Sequence, residues 1–360
     1  MVSIDDMFEI SPFGLNKAEK EKLLKNKLLL LTELHRTRCE SYSKILSVYG
    51  YNPDNVKSHY DIPFIPVRLF KNYDLLSISK NEIFKTMTSS GTSGQRVSKI
   101  FVDKTTANNQ QKTLIRIMSD FIGKKRLPML LIDSPNVVKD RNLFSARGAA
   151  ILGLRMLGRE TIYALDDNMQ LKLDEVQSFI EKHRDSKIII FGFTFMVWQH
   201  LYQELQKRNI KLDLSNAYLI TGGGWKKLVS LNISNSDFRN ALNTQCGIEH
   251  FIDHYGMVEQ TGCIYAQCEY GHLHASIFSD VIPRRAADFS VCEKGEEGII
   301  QVVSVLPHSY PGHSILTEDK GIILGEDDCP CGRLGKYFKL TGRLKKAELR
   351  GCSDTYADKF

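Results

Sequence analysis

The sequence predicts a protein of the α/β class, and the alternation of two kinds of segment leads to this prediction. Four short apolar runs have the length and composition of strands: 129–133, 187–191, 217–221 and 251–255. Segments with helical periodicity alternate with them: 141–157, 171–183, 194–208 and 234–245. Strands that alternate with helices of this length are joined by crossover connections, which produce a mainly parallel sheet.

The residue patterns before and after this alternating region are different. At 17–49, leucines and an isoleucine at helical spacing among Lys and Glu predict an amphipathic helix, whereas 62–70 contains too much proline for a helix. After about residue 285 the sequence predicts a small β subdomain from glycine-bounded strand candidates at 298–304, 321–325 and 336–341. The segment 344–360 is polar and too short to be a domain.

Composition excludes several classes of protein. With 42% hydrophobic and 25% charged residues among 360, the chain is typical of globular proteins and is neither disordered, collagen-like nor a coiled coil. The net charge of +6 is small against 48 basic and 42 acidic residues, so neither nucleic acid nor a membrane surface is an expected partner. Residues 1–10 lack the pattern of a signal peptide, and no apolar run is long enough to span a bilayer. We therefore expect a cytoplasmic protein.

The densest stretch of hydroxyl and glycine residues predicts a phosphate-binding loop. It consists of Thr88, Ser89, Ser90, Gly91, Thr92, Ser93 and Gly94. Glycines let the backbone approach a phosphate closely, and hydroxyls add hydrogen-bond donors around the anion. The Gly-Lys-Ser/Thr ending of a P-loop is missing, which argues against a P-loop nucleotidase. On composition alone, a surface loop without function stays an equal alternative.

This loop resembles the phosphate loop of the adenylate-forming enzymes, the superfamily of acyl-CoA ligases and related synthetases. Four further motifs of that superfamily follow in the expected order: Thr221-Gly222-Gly223-Gly224, Tyr255-Gly-Met-Val-Glu259, Thr317-Glu-Asp319 and Thr341-Gly-Arg343. Each motif is weak alone, but five in order across residues 88–343 are specific.

The resemblance implies a role for each motif. The three glycines and Tyr255 would contact adenine, and Asp319 would bind the ribose hydroxyls of ATP. Arg343 would reach the ribose or the phosphates, and Glu259 would help to hold Mg²⁺. Adenylation needs such groups, because negative charge builds up as a carboxylate attacks the α-phosphate and pyrophosphate leaves.

The resemblance also implies an architecture. The expected fold is the large N-terminal domain of adenylate-forming enzymes, with mixed sheets sandwiched by helices. Residues 1–343 would form the adenylation core, with the β subdomain at 285–343, and 344–360 would form a tail. The sequence ends where such enzymes begin a second domain with their catalytic lysine, so we expect this domain to be absent and assign no lysine to that role.

A narrower resemblance is to the LuxE-like acyl-protein synthetases of bacterial luciferin-aldehyde systems. It is carried by Ile-Pro-Val-Arg-Leu-Phe-Lys at 65–71, by 88–92 and 220–226, and by Arg350-Gly-Cys352. It implies that a fatty acid is activated as acyl-AMP, passed to Cys352 and then taken by an acyl reductase or carrier partner. Neighbouring Lys and Arg residues would favour the thiolate. A solvated cysteine without chemistry is the alternative.

Cysteine placement predicts a metal site. Of eight cysteines, seven fall between Cys246 and Cys352, and without a secretion signal this clustering favours metal or thiol chemistry over disulfides. The segment resembles the phenylacetate-CoA ligase branch, which implies the zinc ligands Cys268, His274, Cys329 and Cys331. Cys263 and His272 remain substitutes, and reduced cysteines packed as small hydrophobic residues are the alternative.

The leading functional hypothesis is an ATP-dependent acyl-protein synthetase that uses ATP, Mg²⁺ and a structural Zn²⁺. Two alternatives stay open: an acyl-CoA ligase of the phenylacetate type, and a non-catalytic zinc-bearing relative. A zinc-ribbon module that binds nucleic acid is least favoured, because no basic run accompanies the cysteines. The sequence leaves open which carboxylic acid is used, whether Cys352, a carrier or coenzyme A accepts it, and the oligomeric state.

Overall fold

The computed structural model describes residues 3–89, 96–139, 146–223, 228 and 231–344. The helices are α1 (Ile4–Glu9), α2 (Lys17–Arg38), α3 (Glu40–Val48), α4 (Leu69–Asn72), α5 (Lys104–Ile122), α6 (Asn136–Lys139), α7 (Ala146–Leu154), α8 (Leu173–Lys182), α9 (Thr194–Met196), α10 (Gln203–Lys207) and α11 (Asn235–Cys246). A π-helical segment, Val197–Tyr202, joins α9 to α10.

The strands are β1 (Ile65–Pro66), β2 (Lys85–Thr88), β3 (Lys99–Val102), β4 (Leu127–Leu131), β5 (Gly158–Tyr163), β6 (Ile188–Gly192), β7 (Ala217–Gly222), β8 (His250–Tyr255), β9 (Tyr265–Gln267), β10 (Leu273–His274), β11 (Ser279–Arg284), β12 (Glu297–Ser304), β13 (Ser314–Glu326) and β14 (Lys336–Arg343). None of the helices within the described ranges is both long and apolar enough to cross a membrane.

The chain divides into two compact units. The described residues between Met118 and Tyr255 form the parallel-sheet unit. Its strands lie in the order β5-β4-β6-β7-β8, and each adjacent pair is parallel. Strand β6 is buried along its whole length, as expected where helices cover both faces of a parallel sheet. The four predicted apolar runs are the strands β4, β6, β7 and β8, which confirms the α/β prediction.

The described residues of Met1–Ser89, Arg96–Ile117 and Gly256–Leu349 form the mixed-sheet unit. Its strands lie in the order β11-β12-β13-β14-β10-β9, with β1 parallel to β13 and a separate hairpin of β2 and β3. The three strand candidates predicted after residue 285 belong to β12, β13 and β14. Strand β13 starts seven residues earlier than predicted, and its register shifts next to Gly321, where a Cβ atom would lie 2.7 Å from the Lys339 carbonyl oxygen.

The prediction of a single helix over 17–49 is wrong, because the helix is interrupted at Cys39. Cys39 has φ −122° and ψ 100°, an extended conformation that ends α2 and starts α3. The break lets each helix bury its own apolar face. Leu24, Leu28 and Leu31 of α2 join a core cluster with β-sheet residues, while Tyr42 and Leu46 of α3 are buried separately. Periodicity alone does not detect such a change of direction.

Candidate active site and metal centre

In the parallel-sheet unit, two predicted site motifs lie at the ends of neighbouring strands. Thr221 and Gly222 close β7, and they pair with Asp253 and His254 of β8. A Cβ atom at Gly222 would lie 2.8 Å from Nδ1 of His254, so a side chain cannot be accommodated there. Gly223 has φ +64°, which glycine adopts without strain. Ligands bind preferentially at this carboxyl end of parallel strands.

The end of β8 carries polar groups that the sequence analysis missed. One carboxylate oxygen of Asp253 accepts hydrogen bonds from the His254 backbone N–H at 2.9 Å and from the Thr221 hydroxyl at 3.4 Å. Burial lowers the pKa of the His254 imidazole to about 4, so the ring is neutral at physiological pH. Tyr255 is the last residue of the strand and is half-buried. Gly224 lies outside the described residues.

In the mixed-sheet unit, Glu259 is a buried carboxylate, only 5% exposed, in a turn after β8. Burial raises its pKa above the ordinary value, and the nearby Ser98 side chain opposes this rise. The nearby carboxylates of Asp319 and Glu318 add to it. A nearby cation would stabilise the ionised form of a buried carboxylate such as Glu259, and carboxylate oxygens are ligands that suit Mg²⁺.

Two side chains that the sequence analysis missed hold the turn of Glu259. The Gln260 amide donates to the carbonyl oxygens of Val302 at 3.2 Å and Gly312 at 2.8 Å. The Tyr310 hydroxyl donates to the Glu259 carbonyl oxygen at 2.9 Å. Because these donors are buried and satisfied, they fix the backbone that presents the Glu259 carboxylate.

Thr88 and Ser89 lie at the base of the hairpin formed by β2 and β3. The Ser89 backbone N–H donates to the Ser98 carbonyl oxygen at 3.1 Å, and the Ser98 N–H donates to the Ser89 hydroxyl oxygen at 2.9 Å. Since the Ser98 side chain is close enough to lower the pKa of Glu259, the base of the predicted phosphate loop and the buried carboxylate are neighbours. The rest of the loop, Ser90, Gly91, Thr92, Ser93 and Gly94, lies outside the described residues.

Strand pairing brings Asp319 and Arg343 together. They are opposite each other on β13 and β14, with Nε of Arg343 2.9 Å from Oδ1 of Asp319. Glu318 pairs with both Arg343, at 3.4 Å, and Arg68. The Glu318 carbonyl oxygen also accepts from the Leu344 backbone N–H at 2.9 Å. Glu318 occupies the position of the glycine in the Thr-Gly-Asp motif of the adenylate-forming enzymes. The sequence analysis did not assign it a role.

The four residues predicted to bind zinc converge in the mixed-sheet unit. One ligand atom from each of Cys268, His274, Cys329 and Cys331 lies within 4.8 Å of all the others. The pairing of β10 with both β9 and β14 explains this convergence, because it places His274 between the loops that carry the cysteines. Nε2 of His274 lies 3.4 Å from Sγ of Cys331.

The donor set fits a zinc ion. Zn–S bonds of about 2.3 Å and a Zn–N bond of about 2.0 Å in a tetrahedron separate the donor atoms by roughly 3.5–3.8 Å. Burial, together with the thiols of Cys331 and Cys268, raises the pKa of Cys329 to about 12. These closely spaced thiols therefore need a cation before they can be thiolates together.

The two substitute ligands have other contacts. Sγ of Cys263 lies 3.1 Å from the Ser304 hydroxyl and 3.6 Å from the Phe278 carbonyl oxygen, outside the cluster. Nδ1 of His272 lies 3.3 Å from Sγ of Cys329, and its ring stacks on Tyr337. His272 thus borders the cluster. Cys352, the predicted acyl acceptor, lies outside the described residues.

Comparisons with known proteins identify relatives of this chain. The chain is 23% identical over 369 aligned residues to the long-chain-fatty-acid–luciferin-component ligase of Aliivibrio fischeri, covering 99% of this chain and 93% of that one. The Vibrio harveyi protein of the same name is 22% identical with the same coverage. Over 92 residues, 25% of this chain and 78% of the other, identity to the Photorhabdus luminescens protein of that name is 35%.

Among solved structures, an open conformation of 2-hydroxyisobutyryl-CoA ligase in complex with 2-HIB-AMP and CoA superimposes with a TM-score of 0.72. The match has 15% identity and covers 93% of this chain and 78% of that one. This likeness confirms the predicted fold class, that of adenylate-forming ligases. Residues 1–360 match the family described as acyl-protein synthetase, LuxE. The chain therefore belongs to the LuxE family of acyl-protein synthetases, which makes it a ligase.

Proposed function

We propose that the enzyme activates a long-chain fatty acid with ATP as acyl-AMP and then transfers the acyl group to its own Cys352. The activation step of this proposal rests on residues that lie together in the mixed-sheet unit, namely Glu259, the hairpin base, Asp319 and Arg343. Family membership and the fatty-acid ligase names of the relatives support the substrate class and the protein acceptor.

In the first step, a carboxylate oxygen of the fatty acid attacks the α-phosphorus of ATP. A bond forms between that oxygen and phosphorus, the bond to the β-phosphate oxygen breaks, and pyrophosphate leaves. Arg343 and the hydroxyls of Thr88 and Ser89 stabilise the negative charge that develops. Glu259 would hold Mg²⁺, which, when bound, supplies positive charge against the phosphate oxygens.

The nucleotide is oriented by two groups of residues. Asp319 accepts hydrogen bonds from the ribose hydroxyls, a role for which its carboxylate suits two neighbouring O–H donors. The backbone of Gly222, Gly223 and Gly224 and the ring of Tyr255 contact adenine. The loop from Thr88 to Gly94, including Ser90, Gly91, Thr92 and Ser93, surrounds the phosphates.

In the second step, the Cys352 thiolate attacks the acyl carbonyl carbon. The carbon–sulfur bond forms, the carbon–oxygen bond to AMP breaks, and AMP leaves. Cys352 comes nine positions after Arg343 in the sequence, and nine residue steps of ~3.3 Å can span about 30 Å. Tethering gives the thiol a high effective concentration. An acyl reductase or a carrier protein is the proposed partner that takes the acyl group from the thioester.

Pyrophosphate exchange across a series of saturated fatty acids tests the first step. We expect ATP–pyrophosphate exchange that depends on both the acid and Mg²⁺. If no acid supports exchange, the non-catalytic alternative replaces the proposal. If exchange occurs but free coenzyme A is consumed and the protein is never acylated, the enzyme is an acyl-CoA ligase.

Glu318→Gln is expected to weaken adenylation because it removes one of the two carboxylates that pair with Arg343 and leaves only Asp319 to position it. The amide keeps the shape of Glu318 but cannot pair with either arginine. Since Arg343 is partly exposed, we expect only a ~3- to 10-fold rise in the KM for ATP in pyrophosphate exchange, with a smaller change in kcat. Glu297→Gln, which breaks the exposed pair with Lys320 on the same sheet, is the matched control. Equal effects of the two variants would contradict the role of Glu318.

We propose that Cys268, His274, Cys329 and Cys331 hold one structural Zn²⁺ per chain. Protein purified without a metal-affinity tag should contain one equivalent of zinc by elemental analysis. Replacing both Cys329 and Cys331 by Ser should remove the zinc and lower the Tm by at least about 10 °C, because metal binding contributes directly to folding. Cys292→Ala, which removes a buried thiol outside the cluster, should keep the zinc. Metal-free wild-type protein of full stability contradicts this site.

A further inference from the structure

Arg284 is a buried cation without an acidic partner. It is the last residue of β11 and is 7% exposed. Its guanidinium donates to the carbonyl oxygens of Phe289 at 2.8 Å and Tyr60 at 2.6 Å, and to the side-chain oxygen of Gln301. All three acceptors are neutral. No carboxylate in the described part of the chain forms an ion pair with Arg284, although buried charges are normally paired.

The surrounding acidic groups are engaged elsewhere. Asp61 is the carboxylate whose charge acts most on Arg284, but it accepts hydrogen bonds from the backbone of Lys57 at 3.0 Å and of Ser58 at 2.8 Å. Arg285, the next residue along the chain, pairs with Glu296 at 2.5 Å. Burial lowers the pKa of the Arg284 guanidinium, as expected for a charge that lacks a counter-ion.

Arg284 lines an open cavity of about 480 Å³ in the mixed-sheet unit. This volume lies within the range of small-molecule sites. Much of the wall is aromatic or amide in character, and the Asp61 carboxylate, which accepts from the backbone of Lys57 and Ser58, also lies in it. The aromatic and amide residues are Tyr49, Tyr51, Tyr60, Phe64 and Asn52. The cavity therefore combines several ring surfaces with one cation that forms no ion pair within the described residues and one carboxylate that backbone N–H groups already engage. None of its lining residues belongs to the proposed ATP, acyl-transfer or zinc residues.

Two phenylalanines hold the guanidinium in place. It lies 4.9 Å from the centre of the Phe64 ring, and the Phe64 and Phe289 rings meet edge to face at 5.7 Å. Phe289 has φ +60°, which is unusual for a residue with a side chain, and its carbonyl oxygen accepts from Arg284. The strained backbone thus fixes Arg284 by a neutral acceptor and leaves the guanidinium without an ion pair in the described part of the chain.

We propose that this cavity binds a small organic carboxylate with an aromatic or short aliphatic body. The carboxylate pairs with Arg284 and supplies the missing counter-ion. The body contacts the rings of Tyr49, Tyr51 and Phe64. A single guanidinium matches the single charge of a carboxylate, and the ring surfaces favour an organic anion over an inorganic one.

Fluorescence of a Tyr49→Trp variant tests the proposal, since the new indole lies in the wall of the cavity. Phenylacetate, octanoate and inorganic phosphate are titrated separately against the full chain, with the parent protein as the background. We expect a saturable change with at least one of the two organic acids and none with phosphate. Adding Arg284→Gln should weaken binding at least about tenfold, whereas Arg284→Lys should retain part of it.

Circular dichroism and the Tm establish that each variant is folded. If Arg284→Gln does not fold, the comparison of Arg284→Lys with Phe64→Leu replaces it, and both should bind more weakly than Tyr49→Trp alone. Pyrophosphate exchange should be unchanged in Arg284→Lys, which separates this cavity from the proposed acyl-activation residues. The proposal is overturned by a folded Tyr49→Trp protein without a saturable response to the organic acids. It is equally overturned by unchanged affinity in the Arg284 variants or by binding of phosphate alone.

Discussion

Glu259→Gln is expected to lower acid-dependent pyrophosphate exchange by about 10²- to 10³-fold, the range found when one group that stabilises a charged transition state is lost. The amide has the same shape as the carboxylate but no charge for Mg²⁺. The backbone of the turn is held by Gln260 and Tyr310, so the fold should be retained. Initial rates of exchange at saturating ATP measure the loss.

The same variant should be at least as stable as the wild type when Mg²⁺ is absent. In the folded protein, burial and the carboxylates of Asp319 and Glu318 raise the pKa of Glu259. The stability that its proton contributes is therefore present at low pH and is lost as pH rises through this raised pKa. Glutamine does not ionise, so the Tm of the variant should exceed that of the wild type increasingly as pH rises. Undiminished exchange, or a variant that unfolds near neutral pH, contradicts the role of Glu259.

Cys352→Ser should abolish the thioester adduct while acyl-AMP formation continues. A serine hydroxyl is not ionised near neutral pH, so it lacks the thiolate that attacks the acyl carbonyl. We expect pyrophosphate exchange within about twofold of the wild type, because this thiol takes no part in the first step. Acylation in a single turnover should fall at least about 100-fold.

Radiolabelled fatty acid followed by denaturing gel electrophoresis measures this acylation. Cys292→Ala is the matched control, because it removes another thiol and should acylate normally. If Cys352→Ser is acylated to the wild-type level, a different cysteine or a carrier protein is the acceptor. Loss of exchange together with acylation would point to a structural effect of the substitution instead.

Four of the five strands of the parallel-sheet unit were predicted because their signal is local, whereas the edge strand β5 (Gly158–Tyr163), which contains charged residues, was missed. The runs 187–191 and 217–221 are mostly apolar without alternation, which is typical of a strand covered on both faces. The break of the N-terminal helix at Cys39 was missed, because α2 and α3 have compatible periodicity and only tertiary packing separates them. The early start of β13 was missed because its pairing with β1 and β12 is long-range.

The site residues likewise divide into those that local motifs identify and those whose role depends on contacts distant in sequence. Motif resemblance assigned Glu259, Asp319 and Arg343, which the structure places in one unit. Glu318 was overlooked because its importance comes from contacts with Arg68 and Arg343, which are distant in sequence. The sequence could not decide whether Cys263 or Cys268 is the zinc ligand, because the two cysteines lie on either side of β9. Strand pairing determines which of them approaches the other ligands. Arg284 has no sequence signal, because a missing counter-ion is visible only in three dimensions.

Intact-mass analysis of the wild-type protein tests the central claim most directly. The protein is incubated with ATP, Mg²⁺ and the fatty acid that gives the fastest pyrophosphate exchange, and then measured before and after neutral hydroxylamine. The account predicts a mass increase of one acyl group that requires ATP, disappears with hydroxylamine and maps to the peptide containing Cys352. Release of AMP from ATP and the fatty acid without any change in protein mass would contradict it.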